Sequence, residues 1–107
     1  MQLKGKAMSF NQLEIDVIRW AEARRIIPNA KPYVQLMKTG SEYGELLDAE
    51  IKGDLPGIID GVGDVLVTLI IYCALRDISL VDCLQSAYDE IKDRKGELLS
   101  NGVFVKS

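Results

Sequence analysis

The chain has 107 residues, 48% apolar and 27% charged, a length that suits one domain and a composition that excludes wholesale disorder. Sixteen acidic against thirteen basic residues give a net charge of -3, which argues against the basic face that nucleic-acid binding needs. An anionic substrate would need a metal ion to bridge it to acidic groups.

There is no histidine, so a general base has to be a carboxylate, a lysine, a tyrosine or a metal-bound hydroxide. The two cysteines, Cys73 and Cys83, fall in apolar helical patterns without CxxC spacing. They read as buried free thiols in a reducing compartment rather than a disulfide. The opening Met1-Gln2-Leu3-Lys4-Gly5-Lys6 lacks the apolar core of a signal peptide. The longest apolar stretch, Val65 to Leu75 broken only by Thr68, is shorter than the about 20 residues of a membrane span and reads as a buried bundle helix. A cytoplasmic protein with no membrane partner, folded as one domain over 1–107, is the expectation.

The first helix is predicted from about Ser9 to Ile27, with Ser9 as N-cap and Gln12 completing a capping box. Leu13, Val17, Trp20 and Arg24 share one stripe, and Pro28-Asn29 ends the helix. The second is predicted from Pro32, which suits a first turn, to Lys52, with Gly53 as its stop. Gly40 and Gly44 cost about 1 kcal/mol each against alanine inside a helix, and suggest close packing or local irregularity.

The third helix runs from about Leu55 to Arg76, capped by Asp54 with Pro56 in its first turn. It is apolar nearly all round from Val62, the mark of a central helix. The fourth runs from about Ser79 to Lys95, capped by Ser79, with Asp82 placed where the helix dipole favours an acid and Gly96 stopping it. The tail around Gly102-Val103-Phe104-Val105-Lys106 reads as a short extended piece, and no segment alternates as a sustained strand. The expected fold is therefore an all-α four-helix bundle. So apolar a third helix in so small a chain predicts burial against another subunit.

Glu42 and Glu45 stand three apart on the second helix, and Asp60 and Asp64 four apart on the third. Those spacings put each pair on one helix face. Two facing helices with an acidic pair each can build an oxygen cage for a hard divalent cation. The plain alternative is a solvated acidic face, with Asp60 as an ordinary first-turn acid. Asp64 resists that alternative, because it sits between Val62 and Val65-Leu66, where an unpaired buried aspartate is costly. Trp20, the only tryptophan, is expected in the core rather than stacked on a nucleobase, and Tyr43 and Tyr88 pose the same choice.

The ordered set Glu42-Tyr43-Gly44-Glu45-Leu46, Asp60-Gly61-Val62-Gly63-Asp64-Val65-Leu66 and Arg94-Lys95-Gly96 followed by Phe104-Val105-Lys106 resembles the MazG-like all-α nucleoside triphosphate pyrophosphohydrolases, in particular their small phage-type members. The resemblance covers roughly residues 14 to 106. It implies magnesium- or manganese-dependent hydrolysis of a nucleoside triphosphate to monophosphate and pyrophosphate, by a homodimer or homotetramer. It further implies metal ligation by Glu42, Glu45, Asp64 and Asp60, and a catalytic role for Glu42 or Glu45 in deprotonating the attacking water. Cations that bind the phosphates would be Lys38, then Arg94 and Lys95, whose plain alternative is favourable placement at a helix C-terminus, with a further contact at Asp89.

The sequence departs from the family pattern at Gly61, where an acid is usual, and at Ser41 and Asp89. Asp60 is the nearest acid, about 100° round the helix from position 61. The departure keeps a second reading open, a nucleotide-binding or regulatory helical module with weakened catalysis. A third reading is a purely structural oligomerisation bundle.

Overall fold

The computed structural model describes residues 8–107, and the expectation for Met1 to Lys6 lies outside them. The fold is all-α with one small hairpin: α1 (Phe10–Ala23), α2 (Ile26–Asn29), α3 (Pro32–Lys52), α4 (Leu55–Leu75), α5 (Leu80–Ile91), β1 (Gly96–Leu98) and β2 (Phe104–Lys106).

The caps follow the local chemistry of the sequence. The Ser9 hydroxyl accepts from the Gln12 backbone N–H at 3.2 Å, while the Gln12 side chain donates to Asp16 at 3.0 Å instead of reaching back to close a capping box. Asp54 accepts from the Gly57 N–H at 3.1 Å, and Ser79 accepts from the Asp82 N–H at 3.3 Å. Gly53 ends α3 in the left-handed region at φ 66°, a conformation glycine adopts without a Cβ penalty.

The first helix stops earlier than the pattern suggests. Proline lacks an N–H and disfavours helical backbone in the residue before it, and Ile27 accordingly sits at φ -99°, ψ 127°. The chain breaks at Arg25, φ 61°, and makes the separate short turn α2. The last helix also ends early, at Ile91 rather than Lys95. Gly96 does not stop it but opens β1, which pairs antiparallel with β2 in the register Gly96↔Lys106, Glu97↔Val105, Leu98↔Phe104. The ring of Phe104 and the Val105 carbonyl lie where a Cβ on residue 96 would stand, so glycine is required there.

The two-residue link Gly53-Asp54 folds α3 back against α4, and this pair forms the body of the molecule. Helix α1 lies on α4, and α5 packs on α1 and α4 without touching α3. The buried apolar residues are Ala21, Ala49, Ile70, Ile71 and Cys73, concentrated at the C-terminal half of α4. Three polar residues are buried with them: Glu14, Gln35 and Thr68. Thr39 donates to Thr68 across the α3–α4 interface at 2.8 Å, and Thr68 donates to the Val65 carbonyl.

Glu14 of α1 completes the Ser79 cap of α5. Its carboxylate accepts from the Ser79 hydroxyl at 2.9 Å and from the backbone N–H groups of Leu80 at 2.7 Å and Val81 at 3.3 Å. A negative charge at the positive end of a helix satisfies donors that would otherwise be orphaned.

Several packing expectations change in the structure. Gly40 and Gly44 face open space within a regular helix, so they mark no close contact within this chain. Cys83 is exposed rather than buried. Burial pushes the buried Cys73 thiol up, and the neighbouring Cys83 adds to that shift. Helix α4 as a whole, 21 residues with a best-window mean hydropathy of 2.0, is long and apolar enough to cross a membrane, and only 28% of that window is buried within the chain. It is central in sequence character but is not a fully enclosed core helix.

Candidate functional site

The four acids of the two pairs line two adjoining cavities of one cleft along α3 and α4, with Asp64 in both. Glu45, Asp60 and Asp64 line a cavity of about 300 Å³ together with Asp48, Lys52 and Asp54. Glu42 and Asp64 line an adjoining cavity of about 190 Å³ with Trp20, Gln35, Lys38 and Thr68. Asp64 also lines a third, largely apolar space with Leu13, Val17, Trp20 and Val67. Asp64 is thus the residue common to all three, and it is half-buried where the acidic and apolar surfaces meet.

Gly61 lines the same cavity as Asp60 and Asp64 but is packed closely against α3. A Cβ on residue 61 would lie 3.0 Å from the Leu46 Cβ and 3.2 Å from the Leu46 Cα. Gly61 is therefore a tight contact between α3 and α4, and any side chain there requires Leu46 to shift by a few tenths of an ångström. Asp60 and Asp64, four residues apart, flank that contact on the open side.

Like charges meet in the cleft. The Glu42 carboxyl is held above its ordinary value, first by a side-chain hydrogen bond shared with Glu45, then by desolvation and by the charges of Glu45 and Asp64. The Lys38 ammonium, one turn earlier on α3, pulls the other way. The donor set fits a hard divalent cation, since carboxylate oxygens are what magnesium and manganese prefer. Among the described residues no three acidic side chains converge on one ion-sized point, so joint ligation requires rotation of exposed side chains such as Glu45 and Asp60.

Trp20 is 45% exposed rather than in the core. Its ring lines two of the cavities beside Asp64 and carries the Arg24 guanidinium 4.4 Å from its centroid. Gln35, buried on α3, faces the same cavity as Lys38 and Glu42. The spacing of Gln35, Lys38, Glu42 and Glu45 along one face of α3 was a readable signal for Gln35. Asp48 extends the same ladder.

The remaining sequence-derived residues lie elsewhere. Asp89 is on α5, exposed, accepting from the Gln85 amide at 3.0 Å and paired with Lys92 at 3.5 Å. Arg94 and Lys95 sit at the exposed base of the hairpin, and none of the three lines the cleft cavities. Within one chain the cleft is flanked by α1 and α2, through Trp20 and Ile26.

A match in sequence comes from a bacteriophage. Over 70 residues the chain is 31% identical to a protein of Haemophilus phage HP1 (strain HP1c1), described as an uncharacterized 18.2 kDa protein in the rep-hol intergenic region. The aligned stretch is 65% of this chain and 43% of that relative, so the chain spans less than half of the relative's length. No family model and no solved structure matches the chain.

Proposed function

We propose that this chain hydrolyses nucleoside triphosphates to the monophosphate and pyrophosphate with a divalent cation, as one MazG-like helical domain working as a homo-oligomer in the cytoplasm. The observation that carries the reading is that Glu45 and Asp60 line one cavity and Glu42 and Lys38 an adjoining one, with Asp64 common to both. The resemblance of the same residues to the family signature supports it.

Glu42, Glu45, Asp60 and Asp64 would hold magnesium or manganese, which when bound neutralises phosphate charge and acidifies a coordinated water. The chain's own residues do the rest. Glu42 or Glu45 would accept a proton from the attacking water. Lys38 offers a cation to the phosphates without a basic surface elsewhere being needed. Trp20 gives a flat apolar face at the edge of the cleft, where a nucleobase can stack while the phosphates meet the acids and their metal.

The test is pyrophosphate release from a panel of canonical and modified nucleoside triphosphates, with magnesium and with chelator, for wild type and Asp64→Asn. Metal-dependent release that is lost in the variant is the expected result. Thermal stabilisation by a nucleotide without any release would instead support a binding module. That among the described residues no three acids already converge is the observation that favours this second reading.

A further inference from the structure

The segment after α5 stands away from the rest of the molecule. Strands β1 and β2 contact each other and no helix, and every residue from Lys92 to Ser107 is exposed. A lone two-stranded hairpin is marginally stable in water and gains independent stability only by packing on something. This one pairs Leu98 directly with Phe104, at 68% and 52% exposure. Such an apolar cross-strand pair, left wet, is a surface shaped for a partner.

The whole chain carries the same imbalance. Its accessible surface is 8509 Å², against roughly 6,000 Å² for a compact chain of this mass. Its radius of gyration is 16.3 Å, against about 13 Å for a compact chain of this length. The excess area is on the scale that stable homodimers bury.

Charge selects where the arm goes. Residues 92–107 hold four basic and two acidic side chains, whereas residues 41–64 hold seven acidic and one basic. Beside the cleft, an apolar groove of about 380 Å³ runs along α1 and α4, lined by Phe10, Leu13, Val17, Leu66 and Ile70 among others, and Leu13 and Val17 continue into the space that Asp64 borders. The dimensions agree. Asp64 to Ile70 covers about 9 Å of helix, and Lys95 to Leu98 covers about 10 Å of strand.

We propose that the hairpin is a docking arm for a second copy of this chain: Leu98 and Phe104 seat in the α1–α4 groove of the partner, and Arg94 and Lys95 reach the partner's carboxylate cleft. The site in one chain then lacks two of its cations until a second copy supplies them. Their role toward phosphate rests on the hydrolase reading, but the docking itself does not.

Sedimentation equilibrium on the full chain tests this. Wild type is expected to self-associate, and Phe104→Glu to weaken association by roughly thirtyfold or more, with the helical circular dichroism unchanged because the hairpin touches no helix. The double change Arg94→Glu with Lys95→Glu is expected to weaken association most at low salt, and mixing it with Glu45→Lys, Asp48→Lys chains to restore a mixed oligomer. A monomeric wild type, or an oligomer indifferent to Phe104→Glu, overturns the proposal. An oligomer that responds to Phe104→Glu but not to the inverted charges overturns delivery to the cleft. Intact arm-dependent association without pyrophosphate release would count against the hydrolase reading alone.

Discussion

At the scale of single residues, Gly61 and Glu42 define what the cleft can be. Position 61 packs tightly on Leu46, so an acid placed there has to push α3 by a few tenths of an ångström. Helix propensity favours replacing a mid-helix glycine by about 1 kcal/mol, while overpacking a tight helix interface costs about 1–3 kcal/mol. For Gly61→Glu the second effect dominates, because the Leu46 backbone itself must move and a charge enters the interface. Urea denaturation should show the variant less stable by about 2 kcal/mol, and an assay should show no gain of pyrophosphate release.

Glu42 makes a pH-dependent prediction. Its folded-state carboxyl is raised above 4.5, so the folded chain holds that proton more tightly than the unfolded chain. Its contribution to stability is therefore fully present below 4.5 and is lost as pH rises through the raised value. In metal-free buffer Glu42→Gln should melt higher than wild type at neutral pH. The difference should vanish in melting curves taken below 4.5.

At the scale of elements, one carboxylate ties the first helix to the last. Glu14 accepts from the Ser79 hydroxyl and from the Leu80 and Val81 N–H groups. It is among the few buried charged or polar groups, so its loss leaves those donors dry. Hydrogen bonds to a charged acceptor contribute about 1.5–3 kcal/mol, and Glu14→Ala should destabilise by about that much in chemical denaturation, with α5 exchanging its amide hydrogens first. Helices α3 and α4 behave differently, being joined by a two-residue link and by the Thr39–Thr68 hydrogen bond, so their relative position should persist when α5 loosens.

At the scale of the whole molecule, the acidic cleft predicts a metal response. A cation bound among the carboxylates stabilises the folded chain by mass action and competes with the Glu42 proton. Magnesium should raise the melting temperature, more at pH 7.5 than at pH 5, and Asp64→Asn should abolish most of the rise. A magnesium response that is flat across pH and untouched by the variant would mean that the acids are a solvated face.

The sequence by itself determined the helices and their ends wherever the decisive chemistry is local. Pro32, Gly53, Asp54 and Ser79 act on backbone groups within a turn of themselves, and α3 accordingly runs from Pro32 to Lys52 as the pattern predicts. The i, i+3 and i, i+4 acidic pairs were legible for the same reason, since helix geometry alone aligns them. What the tertiary structure decided depends on neighbours distant in the chain. Glu14 caps a helix 65 residues away, Gly61 is fixed by Leu46, and Gly96 by Phe104. Trp20 lies at the cleft instead of the core because α1 covers only part of α4, and no periodicity reports how much of an apolar face a partner element will cover. The separation of Arg94 and Lys95 from the carboxylates has the same origin: helix α5 ends at Ile91, and the pairing of β1 with β2 carries the rest of the chain away from the bundle.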